Sequence, residues 1–99
     1  MQWQVYIILC SDDSLYTGIT TNIQKRFAQH ASGKGAKYFH CCSPCQVVYW
    51  ECDHDRSSAS RREAQIKKLS AENKRQLIAS SANKLEKISG MLKVTSIWR

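Results

Sequence analysis

The stretch VYIILCSDDSLYTG, Val5–Gly18, decides the fold, because two short apolar runs flank a polar turn within it. β-Branched and aromatic residues dominate both runs, and the serines and aspartates between them favour a turn, so the stretch predicts a β-hairpin. Since side chains alternate between the faces of a strand, Tyr16 and Gly18 share one face of the second strand. We expect Gly18 to leave an open spot there, where a ligand or another backbone approaches closely. Hairpin tyrosines such as Tyr6 and Tyr16 are ordinarily core residues whose hydroxyls reach the surface, and this alternative stays open.

Length and cysteine content set the class of protein. The chain has 99 residues, the common size of one domain, with a small core. Its longest unbroken apolar run, Val5–Cys10, is far too short to cross a membrane. Because Met1 leads almost directly into the first strand, we expect no signal peptide. Five cysteines, an odd number, favour free thiols and a cytoplasmic or nuclear location over a disulfide framework.

The net charge points to a polyanionic partner. Fifteen lysines and arginines against eight aspartates and glutamates give the chain a formal charge of +7. Such an excess on a small domain indicates nucleic acid before an acidic membrane. The alternative is a surface charge that only keeps the protein soluble.

The remaining elements alternate between helix and strand. Thr20, Thr21 and Asn22 are good N-cap residues, and a helix is predicted over residues 23–31. Residues 46–51 read as a third strand, which we expect to be central in the sheet. Helices follow over residues 59–69, after N-cap candidates at 55–58, and over residues 71–80. Residues 81–99 form a C-terminal extension of unassigned role, so the predicted domain is residues 1–80.

The segment GKGAKY, Gly33–Tyr38, combines flexibility, positive charge and an aromatic ring. Lysines between glycines can meet phosphates, because the glycines let the backbone approach closely. The segment is not a P-loop, since it lacks the required spacing and the Lys-Ser/Thr ending. It predicts a nucleic-acid contact through Lys34, Lys37 and Tyr38.

A cysteine and histidine cluster raises the question of zinc. Cys42 and Cys45 have the spacing of a zinc knuckle, and Cys52 with His54 could complete four ligands. The second pair lacks a recognised spacing, however, and Cys52 would lie at the end of a strand. We therefore expect reduced or buried thiols here.

Three polar residues occupy unusual helical positions. Glu63 falls on the inward-facing side of its predicted helix, where carboxylates are rare unless they are paired or bind a metal. The bland alternative is a salt bridge with a nearby cation, namely Arg62, Lys67 or Arg26. Arg26 and His30 lie one turn apart beside the apolar stripe of the first helix. Their alternatives are a snorkelling surface side chain and a helix C-terminal cation.

These residues together resemble the GIY-YIG nuclease domain, and more closely its small stand-alone UPF0213 branch. The resemblance covers about residues 3–78, and several separated motifs occur in order. Gln4-Val5-Tyr6 and Tyr16-Thr17-Gly18 stand where the family name has its two tripeptides. Three longer stretches also look like the branch: LYTGITT at residues 15–21, GKGAKY at residues 33–38 and RREAQIKKL at residues 61–69.

The resemblance implies an α/β (α+β) fold, in which a three-stranded antiparallel sheet is flanked by helices. It also implies a divalent-metal-dependent DNA endonuclease that uses one Mg²⁺ or Mn²⁺ ion and acts in DNA repair or recombination, with branched or single-stranded DNA among its substrates. The alternative is a non-catalytic nucleic-acid-binding module on the same fold. By position, five residues match the family's catalytic set: Tyr6 as the supporting phenol, Tyr16 as the phenol that activates water, Arg26 on the scissile phosphate, His30 in proton transfer or phosphate contact, and Glu63 as the metal ligand. We expect DNA contacts from Lys34, Lys37, Tyr38, Arg62 and Lys67.

The chain departs from the family pattern at several positions. Gln4 replaces the first glycine, and Thr17 replaces an isoleucine, but both motifs keep their tyrosine. Residues 39–42 replace a segment that usually contains arginine, which weakens the expected grip on nucleic acid. The family's late asparagine is not clearly matched, because Asn73 and Asn83 are both poorly spaced for it.

Overall fold

A three-stranded antiparallel sheet organises the protein in a computed structural model, which describes residues 2–33 and 42–88. The strands are β1 (Trp3–Cys10), β2 (Leu15–Thr20) and β3 (Pro44–His54), in the order β2-β1-β3. The helices are α1 (Ile23–Ala31), α2 (Arg56–Lys67), α3 (Ala71–Ile78) and a short 3₁₀ helix (Leu85–Lys87). The predicted α/β fold, with its sheet flanked by helices, is confirmed. The predicted DNA contacts Lys34, Lys37 and Tyr38 lie outside the described residues. No helix within these two ranges has the length and apolar character needed to span a membrane.

The hairpin forms as predicted, with a register that pairs the two family motifs. Tyr6 lies opposite Gly18, and Ile8 lies opposite Tyr16. The turn is closed by backbone hydrogen bonds from Cys10 N–H to Ser14 O (2.9 Å) and from Asp13 N–H to Cys10 O (2.9 Å). Asp13 adopts a φ of 69°, a left-handed conformation that aspartate tolerates better than most residues. Because Asp13 can adopt this conformation, the polar turn needs no glycine.

The central strand β1 divides the core into two layers. On one face, Tyr6 and Ile8 pack with Ile23 and Phe27 of α1. The other face packs against Ala59 and Ile66 of α2, through residues that include Val5, Ile7 and Tyr49. Burial on both faces explains why β1 is a continuous apolar run instead of an alternating one.

Thr17 shows what one departure from the family pattern does in this layer. Its side chain is buried, and its hydroxyl has no hydrogen-bond partner among the described residues. Burial of an unpaired hydroxyl costs about 1–3 kcal/mol. Isoleucine at this position would avoid that cost, because its side chain carries no polar group.

The prediction that the third strand is central was wrong, because β1 is central and β3 is an edge strand. The outer edge of β3 is nevertheless covered by the chain after α3. Asn83 Nδ2 donates to Val48 O (2.9 Å), Trp50 N–H donates to Asn83 Oδ1 (3.2 Å), and Lys84 N–H donates to Trp50 O (2.8 Å). This local pairing lets an edge strand carry the apolar composition of a central one. Ile88, beyond this segment, is buried in the α1 layer.

Capping side chains set the helix boundaries. α1 begins after Asn22, whose side chain accepts from Lys25 N–H, and its predicted range of residues 23–31 is confirmed. α2 begins at residue 56 instead of the predicted 59, because Asp55 is the residue that caps it, through a reciprocal capping box with Ser58. It also ends at residue 67, two residues before the predicted end, and α3 ends at residue 78 instead of 80.

Asn83 fastens the chain after α3 to the sheet, and its loss should destabilise the protein. Its amide also donates to Ile78 O (2.8 Å) and accepts from Leu85 N–H (3.0 Å). Because Asn83→Ala leaves several partly buried backbone groups unpaired, we expect the free energy of unfolding to fall by about 2–4 kcal/mol. Urea denaturation measures this change. Asn73→Ala, at an exposed helical position, is the matched control, and an equal effect of both substitutions would contradict the assignment.

Candidate active site

Gly18 allows the Tyr6 phenol to lie directly over strand β2. A Cβ atom added at Gly18 would lie 2.5 Å from Tyr6 Oη and 2.7 Å from Tyr6 Cζ, and 3.2 Å from a ring carbon of Tyr16. No side chain fits at these distances, so this position requires glycine for space. The expectation of an open spot at Gly18 is therefore wrong in one respect, since the Tyr6 side chain fills that space.

Tyr6 is bonded to His30, which reaches it from α1. Tyr6 Oη and His30 Nε2 share a hydrogen bond of 2.9 Å, and both side chains are 1% exposed. The Tyr16 ring meets the His30 ring edge-on at a centroid distance of 5.5 Å, and lies 6.3 Å from the Tyr6 ring. Tyr16 is only half-buried, so it is the ring of the three that solvent reaches.

The Tyr6–His30 pair is uncharged at neutral pH. Burial, and after it the neighbouring Tyr16, raise the pKa of Tyr6 to about 12, against the opposing hydrogen bonding and charge of Arg26. Burial, and after it the charge of Arg26, lower the pKa of His30 to about 4. A neutral, buried imidazole cannot bind phosphate as a cation. A neutral imidazole argues against the alternative of a helix C-terminal cation, while the role of His30 in proton transfer or phosphate contact stays a prediction.

Arg26 joins this group to an open cleft. Its guanidinium donates to Gln29 Oε1 (2.9 Å) and stands close enough to Tyr6 to lower the pKa of that phenol. The cleft has a volume of about 290 Å³. Its lining combines two cations with hydroxyl and amide groups and an indole: Trp3, Ile19, Thr20, Thr21, Asn22, Lys25, Arg26 and Gln29. Such a lining suits a phosphate group, because both cations and neutral donors can contact its oxygens.

Glu63 lies on α2, within electrostatic range of the same phenol. Its charge contributes to the raised pKa of Tyr6. The carboxylate is ion-paired with Lys67 at 3.2 Å, and the two side chains are 24% and 53% exposed, respectively. One of the predicted salt-bridge alternatives is thus present, and Glu63 is half-buried, not fully inward-facing. An exposed i,i+4 pair contributes only about 0.3–0.5 kcal/mol, so a divalent cation can displace the lysine.

The site fits a single hard cation held by one carboxylate. Within residues 2–33 and 42–88, no group of three or more ligating side chains includes Glu63. Mg²⁺ is commonly bound in this way, through one or two carboxylates with water and phosphate oxygens completing its shell. A cation here would therefore need the substrate to hold it firmly.

Arg62 has a structural partner that the sequence did not reveal. Its Nε donates to Glu51 Oε2 (2.7 Å), and Nη1 donates to Gln65 Oε1 (3.2 Å). Tyr49 Oη donates to the same Glu51 oxygen, and His54 Nε2 is 2.8 Å from the other. These bonds attach α2 to β3. They occupy two of the three guanidinium nitrogens, and the contact of Arg62 with DNA stays a prediction.

The four side chains weighed above as a zinc site are not gathered into one group in the described part of the chain. His54 uses both ring nitrogens, one on Glu51 and the other on Ser58 Oγ (2.9 Å). The only group of three potential ligands among the described residues contains Cys42 but neither Cys45, Cys52 nor His54.

Gln4 is a further residue whose role the sequence did not reveal. Its Oε1 accepts from Ile23 N–H (3.1 Å) and from the Trp50 indole N–H (3.1 Å). It thereby ties the first turn of α1 to β1 and β3. The only signal in the sequence was that Gln4 stands where the family motif has glycine, and this substitution does not reveal which groups Gln4 hydrogen-bonds.

Comparison with known proteins shows the family of this chain. A family model described as the GIY-YIG catalytic domain matches residues 2–76. A UPF0213 protein of Desulfotalea psychrophila is 51% identical over 80 residues, which cover 80% of this chain and 73% of that protein. A UPF0213 protein of Photorhabdus laumondii is 48% identical over 77 residues, covering 78% and 74%, respectively. The solution NMR structure of a UPF0213 protein from Bacillus halodurans is 40% identical with a TM-score of 0.54, and the match covers 87% of this chain and 92% of that one.

Burial of neutral His30 predicts a specific acid sensitivity. The pKa of His30 falls from 6.5 to about 4 on folding. Between pH 4 and pH 6.5 the His30 ring therefore binds a proton in the unfolded chain but not in the folded one. Stability is therefore complete above pH 6.5 and is lost as the pH falls towards 4, by up to about 3 kcal/mol. Urea denaturation across this range should show the loss in wild type and a smaller slope in His30→Gln. Parallel pH profiles for the two proteins would contradict the buried neutral state.

Proposed function

Since this chain belongs to the GIY-YIG family and to its UPF0213 branch, we propose that it is a divalent-metal-dependent nuclease that hydrolyses phosphodiester bonds in DNA. One observation carries the proposal: the buried Tyr6–His30 pair has Tyr16 against it, Arg26 at one cleft and the Glu63 carboxylate within electrostatic range. Hydrolysis of a phosphodiester requires a base for the attacking water, positive charge for the phosphate oxygens and a ligand for a metal. These side chains supply all three.

The five residues divide into contacting and positioning roles. In the proposed reaction, Arg26 neutralises the phosphate, because it lines the cleft together with Lys25. Tyr16, the most exposed of the three rings, gives its own proton to solvent and, as the phenolate, takes the proton of the attacking water. Tyr6 stays protonated at neutral pH, since its pKa is about 12, and so it positions Tyr16 and Arg26 instead of acting as a base. His30 in turn holds Tyr6.

Glu63 is the residue that would hold the cation, which we propose to be Mg²⁺ or Mn²⁺. When bound, the ion supplies Lewis acidity and an acidic water. Lys67 is released from its ion pair with Glu63 in this arrangement. Its exposed ammonium then becomes available to a DNA phosphate, which is the contact proposed for it together with Lys34, Lys37 and Tyr38. Branched and single-stranded DNA, the forms met in repair and recombination, belong among the substrates to be tested.

A non-catalytic DNA-binding module is the second candidate, and the Glu63–Lys67 ion pair is the observation that favours it. Lys67 occupies one side of the carboxylate that would bind the metal. If that pair persists in the DNA complex, Glu63 is a structural residue and the chain binds DNA without cleaving it.

Glu63→Gln separates the two candidates. It keeps the shape of the side chain but removes the charge that binds the cation, so we expect Mg²⁺- or Mn²⁺-dependent cleavage to fall by about 10²-fold or more. Stability should change by less than about 0.5 kcal/mol, because only a partly exposed ion pair is lost. Cleavage of plasmid, single-stranded, flap and branched DNA measures the activity.

Glu72→Gln is the matched control, since it removes the same charge from an exposed position in the first turn of α3. It should cleave at the wild-type rate. Wild-type protein that binds all four DNA forms but cleaves none with either metal would establish the binding module instead.

A further inference from the structure

A second cluster of ligating side chains lies where β1 runs into the hairpin turn. Cys10, Asp12 and Cys42 each place a ligand atom within 4.8 Å of the other two. Cys10 is buried, Cys42 is half-buried and Asp12 is exposed, so the cluster extends from the core to solvent. The nuclease site described above uses none of these residues.

Strand pairing builds this cluster. Cys10 lies opposite Pro44 at the end of the β1–β3 ladder. The two segments stay paired one residue beyond the ladder, because Ser11 N–H donates to Ser43 O (2.8 Å) and Ser43 N–H donates to Ser11 Oγ (3.1 Å). Asp12 lies in the turn that directly follows, and Cys42 directly precedes Ser43, so these contacts bring Cys10, Asp12 and Cys42 together.

The carboxylate of the cluster is already oriented. Asp12 Oδ1 accepts from Ser14 N–H (3.0 Å) and from Ser14 Oγ (2.6 Å). These bonds lower the pKa of Asp12 and keep it ionised. A ligand that is held by its own hydrogen bonds needs little reorganisation to bind a metal.

We propose that Cys10, Asp12 and Cys42 form a site for a thiophilic divalent cation of the Zn²⁺ type. Two cysteine sulfurs and one carboxylate oxygen supply three ligands of a tetrahedral site, and water can supply the fourth. Soft sulfur ligands select such a cation over the hard Mg²⁺ or Mn²⁺ proposed for Glu63. Each thiol loses its proton to solvent as it binds, and no oxidant is required.

The competing use of the two thiols is a disulfide, and the burial of Cys10 opposes it. Cys10 is 2% exposed, so an external oxidant has little access to its sulfur. A directly bound cation removes the thiol proton through its own charge, so burial is less of a barrier to metal binding.

The cation would also connect two functional parts of the chain. Cys42 directly follows residues 34–41, which include the proposed DNA contacts Lys34 and Lys37. Metal binding would therefore fix the chain at Cys42 to the end of β1. The proposal does not depend on the nuclease activity, and its test uses no cleavage readout.

Titration of the reduced full-length chain with Co²⁺, a spectroscopic probe for Zn²⁺ sites, tests the proposal. We expect one Co²⁺ per chain, with tetrahedral and thiolate-to-cobalt absorption that one equivalent of Zn²⁺ abolishes. Cys42→Ser should weaken binding by about 100-fold or more, and Asp12→Asn by about 10-fold, in line with the usual cost of losing metal-site groups. Cys42 and Asp12 are both at least partly exposed, so neither substitution leaves a cavity in the core.

Cys45→Ser is the matched control, because Cys45 is exposed and its thiol contacts only Ser43 O (3.9 Å) in the hydrogen bonds found for it. It should bind Co²⁺ like wild type, and so should Glu63→Gln. Absence of thiolate-to-cobalt absorption, or an equal loss in Cys45→Ser, would overturn the proposal. A Cys10–Cys42 disulfide in the isolated chain, with no cobalt binding after reduction, would overturn it as well.

Discussion

The buried hydrogen bond between Tyr6 and His30 is the constraint on which the candidate site depends. It joins the central strand to α1, and it forms only because Gly18 leaves room for the phenol on the neighbouring strand. Both groups are nearly inaccessible to water, so water cannot replace this hydrogen bond once it is broken. Such a loss costs about 1–3 kcal/mol. The position of the catalytic candidates is therefore determined by core packing, not by a flexible surface.

A second set of contacts determines where α2, and with it Glu63, lies. Glu51 on β3 binds Tyr49, His54 and Arg62, and these bonds lower its pKa despite its burial. Since Arg62 directly precedes Glu63, the network fixes the helix beside the position where a metal ligand is needed. The charged cluster is thus a support for the site.

Local patterns in the sequence predicted the parts of the structure that local interactions determine. The hairpin, the range of α1 and the shared face of Tyr16 and Gly18 follow from alternation, turn residues and capping within short stretches. The position of β3 was mispredicted because its outer edge is covered by Asn83, which is distant in the chain. The start of α2 depended on which of four adjacent cap candidates was used. The partner of Arg62 and the pairing of Cys10 with Cys42 also required three-dimensional proximity, which no spacing motif encodes.

The most direct test of the central claim is an NMR titration of the His30 ring nitrogens in wild type and Gly18→Ala. Wild-type His30 should titrate near pH 4, because its ring is buried against Tyr6. In Gly18→Ala the added methyl group displaces the phenol, so water and a proton reach the ring, and the pKa should move towards its ordinary value of 6.5. A wild-type His30 that titrates near 6.5, or identical titrations in the two folded proteins, would contradict the account.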